Sequence, residues 1–285
     1  MRIKDILSFL CCPDDRSSLK WYPDYLSCPE CGRQYPVLGD DFVELLPVAM
    51  HPQNGVNLSY PDLYKKDFRQ KFTWMEGTAA WGRCDLAPAS WTAKRLKQVE
   101  FTKKLLLRTP VICDVSAGAG TYTFELAKEF QLVIHCDLSV ENLNDVYQRR
   151  DKMEVNNLIL IRCDYFRLPF FNTLPQLICT DTLIRGQCHE KAVLASLTAA
   201  LAKGGHALVD FHNWWHNPLR RMGLMRNNFS DNTSYTRKAA EKILSDSGIA
   251  SWRFYPFIQE QLAEQYQILK KIIPPARLMY GFTKQ

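Results

Sequence analysis

"VICDVSAGAGTYTFELA" (111–127) decides the fold. An apolar run ends on Asp114, Gly118 and Gly120 follow in G-x-G spacing, and a helix-compatible stretch then begins. That order describes a strand, a tight turn and a helix. It places a nucleotide-like ligand at the turn, where a backbone without Cβ atoms can approach closely. The dinucleotide fingerprint G-x-G-x-x-G requires a third glycine, and that position holds Thr123. A pyrophosphate cradle is therefore not indicated, and NAD and FAD are disfavoured.

From 111 onward the chain repeats this alternation. Candidate strands cover 111–115, 132–136, 158–162, 176–180, 205–211, 251–257 and 278–283, and helical patterns cover 121–130, 140–150, 189–203 and 236–247. Gly204-Gly205 and Gly248 stand where helix C-caps belong. Such alternation implies an α/β, Rossmann-like fold. Its seven-stranded sheet is mostly parallel, with helices on both faces and the final pair of strands antiparallel.

Ligands of doubly wound sheets bind at the carboxyl ends of the strands. The second strand ends "HCDLS", with Asp137 seventeen positions after Gly120, near the spacing of about 20 at which an acidic residue grips ribose hydroxyls. A carboxylate suits this role because it accepts from both hydroxyls of a diol. The third strand ends "RCDYFRLPF". There Asp164 can accept from an exocyclic amine, and Cys163 or Tyr165 can flank an adenine ring. The fourth ends "CTDTLIRG". Each strand-terminal Asp has a plainer alternative as a helix N-cap.

In this order the signals resemble those of the class I S-adenosylmethionine-dependent methyltransferases. "DVSAGAG" (114–120) is similar to their first motif, D-x-G-x-G-x-G, with Ser116 in place of the first glycine. "CDLS" is similar to the ribose motif, "RCDYFRLPF" to the adenine motif, and "LAKGGHALV" to the turn before the fifth strand. The resemblance covers 111–285. It implies that Asp114, Ser116, Gly118 and Gly120 meet the methionine part of S-adenosyl-L-methionine, and that Asp137 and Leu138 meet the ribose. Cys163, Asp164 and Tyr165 would meet the adenine, and Thr180 and Asp181 would floor the site.

The first 46 or so residues form a cysteine-containing unit too short to hold together by core burial alone. "CPEC" (28–31) is a C-x-x-C knuckle that needs a second pair to make a tetrahedral zinc site. The earlier stretch reads "CCPDD", so Asp15 stands where the second thiolate belongs. Cys12, Asp15, Cys28 and Cys31 form a candidate S₃O set for structural Zn²⁺, Cys11 could replace one of them, and loss of the metal is the alternative. The segment 6–47, down to its exit phrase "LLP", resembles zinc ribbons of the methyltransferase-activator type. It is also similar to the ribbon fused to bacterial ribosomal RNA guanine methyltransferases. Three parts are therefore expected: a ribbon-like module (1–48), a linker and helical cover (49–108), and the cofactor domain (109–285).

Recipient-side residues should follow the fourth and fifth strands. "HNWWHN" (212–217) makes His212 the first candidate for a base or acceptor-binding residue and His216 the second. Arg185 is a candidate for holding an anionic group. The alternative for both histidines is an ordinary polar role in a connecting loop. The aromatic stretch 72–91, with Phe72, Trp74, Trp81 and Trp91, could cover an apolar acceptor or pack the linker onto the sheet.

A composition of 46% hydrophobic and 12% aromatic residues supports a real core and excludes global disorder. No apolar run approaches the roughly 20 residues of a membrane span, and no secretory signal is visible after Met1, so a cytoplasmic protein is expected. Cys113, Cys136, Cys163 and Cys179 end apolar runs and read as core thiols. Charge is uneven: residues 1–50 hold five Lys/Arg against eight Asp/Glu, and 61–108 hold eleven against five. An acidic ribbon is a poor RNA clamp, and "TDTL" (180–183) replaces the N/D-P-P-Y/F signature of amine-methylating nucleic-acid enzymes. A small-molecule acceptor is the leading expectation, an RNA base the second. A non-catalytic cofactor-binding protein that docks a protein partner through the ribbon is the third.

Overall fold

The computed structural model describes residues 2–49, 89–183, 190–216, 234–258 and 274–285. The apolar runs become strands β5 (Val111–Val115), β6 (Leu132–Asp137), β7 (Leu158–Cys163), β8 (Leu174–Cys179), β9 (Leu201–Asn213), β11 (Arg253–Phe257) and β12 (Arg277–Thr283). Their order across the sheet is β7-β6-β5-β8-β9-β12-β11. Neighbours are parallel through β9, whereas β12 is antiparallel to both β9 and β11. Strand order reverses at β5, so the carboxyl ends of β5, β6 and β8 surround the topological switch point.

β5 to β8 are buried on both sides, as continuous apolar runs require. Helices α1 (Ala89–Lys103), α2 (Thr121–Leu126) and α3 (Val140–Lys152) cover one face, where Val99, Tyr122, Leu126, Leu143 and Val146 pack on Ile112, Val133 and Ile178. α4 (Glu190–Ala200) and α5 (Arg237–Asp246) cover the other, with Val193, Leu197, Ala240 and Leu244 among the apolar residues that pack with Cys113, Cys136 and Val209. α5 stops as the sequence suggests. Gly248, at φ 78°, donates to Ser245 O, and Ile249 donates to Leu244 O, which satisfies the last carbonyls. A two-residue strand, β10 (Ser234–Tyr235), pairs with the end of β9.

Two expectations are corrected. The helix expected over 189–203 ends at Ala200, and Gly204-Gly205 lies inside β9 rather than at a helix cap. Gly204 N–H donates to Lys284 O, and a Cβ on Gly205 would stand 2.8 Å from Leu174 O, so a bend in the strand requires these glycines. The sheet also does not stop at seven strands. The N-terminal strands β1 (Lys20–Tyr22), β2 (Tyr25–Ser27), β3 (Gln34–Leu38) and β4 (Phe42–Leu45) form an antiparallel run, and β4 lies parallel to β7. Ile3, Ile6, Leu10, Tyr35 and Leu45 share one apolar cluster with Ile159, Ile161 and Phe170. The N-terminal unit thus borrows core from the larger sheet.

The linker beyond Ala49, the aromatic residues Phe72, Trp74 and Trp81, and Arg185 lie outside the described residues. No helix among the described residues is long and apolar enough to cross a membrane.

Candidate functional site

The glycine turn follows β5 directly. Ser116, Gly118 and Gly120 take φ values of 59°, 59° and 73°, so the backbone turns left-handed three times in five residues. For Ser116 this costs roughly 1 kcal/mol, which explains why glycine is the residue of least strain there. The turn is pinned to β6: Ala117 N–H donates to Cys136 O (3.1 Å), and Gly118 N–H donates to Asp137 Oδ2 (2.7 Å). The other oxygen of Asp137 accepts from Ser139 N–H (2.8 Å) and Asn142 Nδ2 (3.3 Å), while Ser139 caps α3. Sequence-expected Gly118, Gly120, Asp137 and Leu138 are therefore together at one edge.

Asp114 lies deeper. Its Oδ2 accepts from Thr123 Oγ1 (2.7 Å), and the same hydroxyl meets His135 Nδ1 at 2.8 Å. Burial raises the Asp114 carboxyl to about 7, against the pull of the Thr123 bond and Arg95. Burial, with Arg149 nearby, lowers His135 to about 3. A neutral imidazole with its proton on Nδ1 donates to the hydroxyl, which in turn donates to Asp114. His135 Nε2 is left buried without a hydrogen-bond partner. Thr123 occupies the position of the absent third glycine, and neither it nor His135 was singled out from sequence.

At the end of β7, Asp164 is fully buried and accepts from Phe166 N–H (2.8 Å), capping a short 3-10 turn over Tyr165–Arg167. This is the N-cap alternative realised locally. Tyr165 and Phe166 rings lie 4.5 Å apart, and Cys163 is buried beside β4.

The ends of β8, β9 and β12 carry a charged cluster. Thr180 is buried, and Asp181 adopts φ 60° and donates its N–H to Asp210 Oδ1 (2.7 Å). The Asp181 carboxylate pairs with Arg95 of α1 and with Arg277 Nη2 at 2.5 Å, and His212 Nε2 stands 3.7 Å away. Burial works against its charge, but Arg277 and Arg95 prevail and hold the group well below the usual carboxylate range. Asp210 is fully buried. Burial raises it to about 6, Arg277 Nη1 lies 3.6 Å away, and Gln98 Nε2 donates to it at 3.4 Å. Arg95 also sits over the Tyr122 ring at 5.1 Å. Asp210 could have been suspected, since a carboxylate interrupts the apolar run "ALVDF". Arg95 and Arg277 carried no local signal.

His212 lies within β9, paired with Arg277 on one side and Ser234 on the other, rather than in a loop. His216 ends the short turn after β9, and its side chain lies outside the described residues.

The metal-ligand candidates converge. Ligand atoms of Cys12, Asp15, Cys28 and Cys31 all lie within 4.8 Å of one another. The two knuckles share one backbone course. Cys12 N–H donates to Ser17 O and Arg16 N–H to Cys12 O, as Cys28 N–H donates to Arg33 O and Gly32 N–H to Cys28 O. Arg16 at φ 67° matches Gly32 at φ 74°. Asp15 is thereby the counterpart of Cys31. Cys12 and Cys31 Sγ atoms are 3.7 Å apart, against about 3.8 Å between two sulfurs of a zinc tetrahedron with 2.3 Å bonds. Cys28 Sγ receives Cys31 N–H at 3.3 Å, and its thiol is shifted down: burial opposes the shift, and that N–H and the Ser17 hydroxyl outweigh it. Cys11 stands outside the cluster. It is buried in a bridge to Ser18, and burial pushes its thiol up to about 11.

No protein-family model matches the chain, and no curated protein matches its sequence. Solved structures do match its fold. A possible histamine N-methyltransferase from Thermotoga maritima is 12% identical, with TM-score 0.55, over 79% of this chain and 99% of that one. Magnesium protoporphyrin IX methyltransferase from Synechocystis PCC 6803 with bound SAH is 15% identical, with TM-score 0.53, over 82% and 99%. The fold is that of S-adenosylmethionine-dependent methyltransferases.

Proposed function

We propose that the protein is an S-adenosyl-L-methionine-dependent methyltransferase acting on a small molecule. The observation that carries this reading is the joining of the β5 turn to the β6 carboxylate, Gly118 N–H to Asp137, at the switch point of a methyltransferase-like sheet. The residues fit the cofactor. The left-handed glycines keep Cβ atoms away from the turn, and Asp137 and Asp164 are acceptors for a diol and an amine. When bound, the cofactor supplies a methyl group on a sulfonium. The chain's own part is positioning: Asp137 orients the ribose, Asp164 and Tyr165 the adenine, and Ser116, Gly118 and Gly120 the amino-acid end. His212 beside the ionised Asp181 is the candidate for removing an acceptor proton, and His216 and Arg185 are the further candidates for recognising the recipient.

A small recipient is favoured over RNA because Arg95 and Lys103 of the basic region are held in ion pairs within the chain, while Lys94, Lys104 and Arg108 stay exposed. Arg95 binds Asp181, and Lys103 bridges Glu100 and Glu129. The division into a ribbon-like module (1–48), a cover (49–108) and a cofactor domain (109–285) belongs to this proposal. So does structural zinc on Cys12, Asp15, Cys28 and Cys31, with a protein partner as the ribbon's further role. Isothermal titration with S-adenosylhomocysteine should show binding that Asp137→Ala weakens at least tenfold; equal affinity in a folded variant would overturn the site. Labelled methyl transfer to fractionated metabolites, with none to RNA, is the expected outcome for the acceptor class.

A further inference from the structure

We infer that the N-terminal unit positions the cofactor edge, through Arg16 on the adenine side and Glu44 on the ribose side. The inference rests on the cofactor reading above.

Arg16 is the first sign. It occupies a left-handed backbone position whose counterpart in the second knuckle is Gly32, and L side chains rarely adopt that conformation. Glycine would meet the turn's demands with less strain, so the side chain needs a reason to be there. Its guanidinium supplies one: Nη1 donates to Leu168 O at 2.6 Å, and Nη2 donates to Phe170 O. These two carbonyls belong to the chain that leaves Asp164, Tyr165 and Phe166. The backbone reinforces the junction, with Cys11 N–H on Pro169 O (3.0 Å) and Phe171 N–H on Phe9 O (2.8 Å).

The second contact is independent of the first. β4 pairs with β7 so that Glu44 stands opposite Arg162, and Glu44 Oε1 accepts from Arg162 Nη1 at 3.0 Å. The same guanidinium donates through Nε to Leu138 O at 3.1 Å. Leu138 follows Asp137, so one arginine connects the N-terminal strand to the ribose loop. Backbone on both sides of the adenosyl position is therefore held by planar, two-donor guanidinium groups, that of Arg16 in the unit itself and that of Arg162, which the unit's Glu44 orients.

Docking that served stability alone would alter melting and leave affinity unchanged at temperatures where the protein is folded. Arg16→Gly separates the two, because glycine suits the turn while removing the guanidinium. Full-length wild type, Arg16→Gly and Glu44→Gln are titrated with S-adenosylhomocysteine and with methylthioadenosine, which lacks the amino acid, and are melted in parallel. Arg16→Gly is expected to melt close to wild type, to keep its metal content, and to bind both ligands roughly five- to tenfold more weakly by the same factor; Glu44→Gln is expected to lose about threefold. Should Arg16→Gly fail to fold, Arg16→Lys, which keeps the charge but lacks the planar two-nitrogen fork, carries the test. Wild-type affinity for both ligands in a folded Arg16 variant overturns the inference. Failure of wild type to bind either ligand overturns the cofactor reading instead, and is a separate result.

Discussion

Asp114 and Asp181 stand at the ends of neighbouring strands and differ in charge. Asp114 is buried with a hydroxyl as its partner, and its carboxyl rises to about 7. Asp181 is partly buried between two arginines and stays ionised far below neutrality. Burial acts in the same direction on both; the partner decides the outcome. These strand ends thus hold one carboxyl that can keep a proton near pH 7 and one that cannot.

The largest effect should come from removing the cation that distinguishes the two regions. Arg277→Met leaves Asp181 with Arg95 and the neighbouring His212 and deprives Asp210 of its nearest cation. A loss of about 3 kcal/mol is expected, as for other broken buried pairs. The loss should grow as pH rises through about 6, where Asp210 ionises. Urea melts at pH 5 and 8 check this, and a pH-independent loss would contradict the proposed role of Asp210.

Next in size is the effect of Thr123→Val. It removes the hydroxyl between Asp114 and His135 and leaves buried polar atoms unpaired, at a cost of about 1–3 kcal/mol by thermal melting. Retained stability would mean that the three groups do not act as one unit.

Asp114→Asn addresses pH directly. The raised Asp114 favours the folded state at low pH, and its contribution falls from 3.8 up to about 7. The lowered His135 does the opposite, losing stability as pH falls from 6.5 toward about 3. Their slopes, about 1.4 kcal/mol per pH unit each, oppose between roughly 4 and 6.5. The variant keeps only the histidine slope. It should match wild type near pH 4, where Asp114 is protonated, and become progressively more stable than wild type as pH rises toward 7, as read by melts at half-unit intervals. Parallel profiles would refute the pairing.

The smallest effect is expected at Ser116. Ser116→Gly relieves a left-handed serine but adds chain entropy in the unfolded state, so its melting point should stay within the range of 1 kcal/mol. A large loss would show that the serine hydroxyl, rather than its small size, holds the turn.

Strand and helix positions were legible because apolar runs and caps are local: β5, β6 and α3 fall where periodicity put them, and C-x-x-C spacing alone located the second knuckle. Asp137 was legible as well, because its distance from the glycine turn is set by one strand–helix–strand unit. Asp15 was readable from spacing as the counterpart of Cys31 in the cysteine cluster, and the shared course of the two knuckles gives that spacing its geometric meaning. Arg95 and Arg277 were not legible, since nothing near either residue indicates the aspartate it meets across the sheet. Nor was the joining of β4 to β7, because a strand's hydrophobic pattern states that it must be covered and leaves open by what.

By itself the sequence determined the elements, their alternation and the acidic and glycine positions at the strand ends, all consequences of short-range periodicity and backbone freedom. Only the tertiary structure decided which carboxylates keep their charge and which loops the N-terminal unit holds. Those outcomes depend on desolvation and on partners brought together from distant parts of the chain.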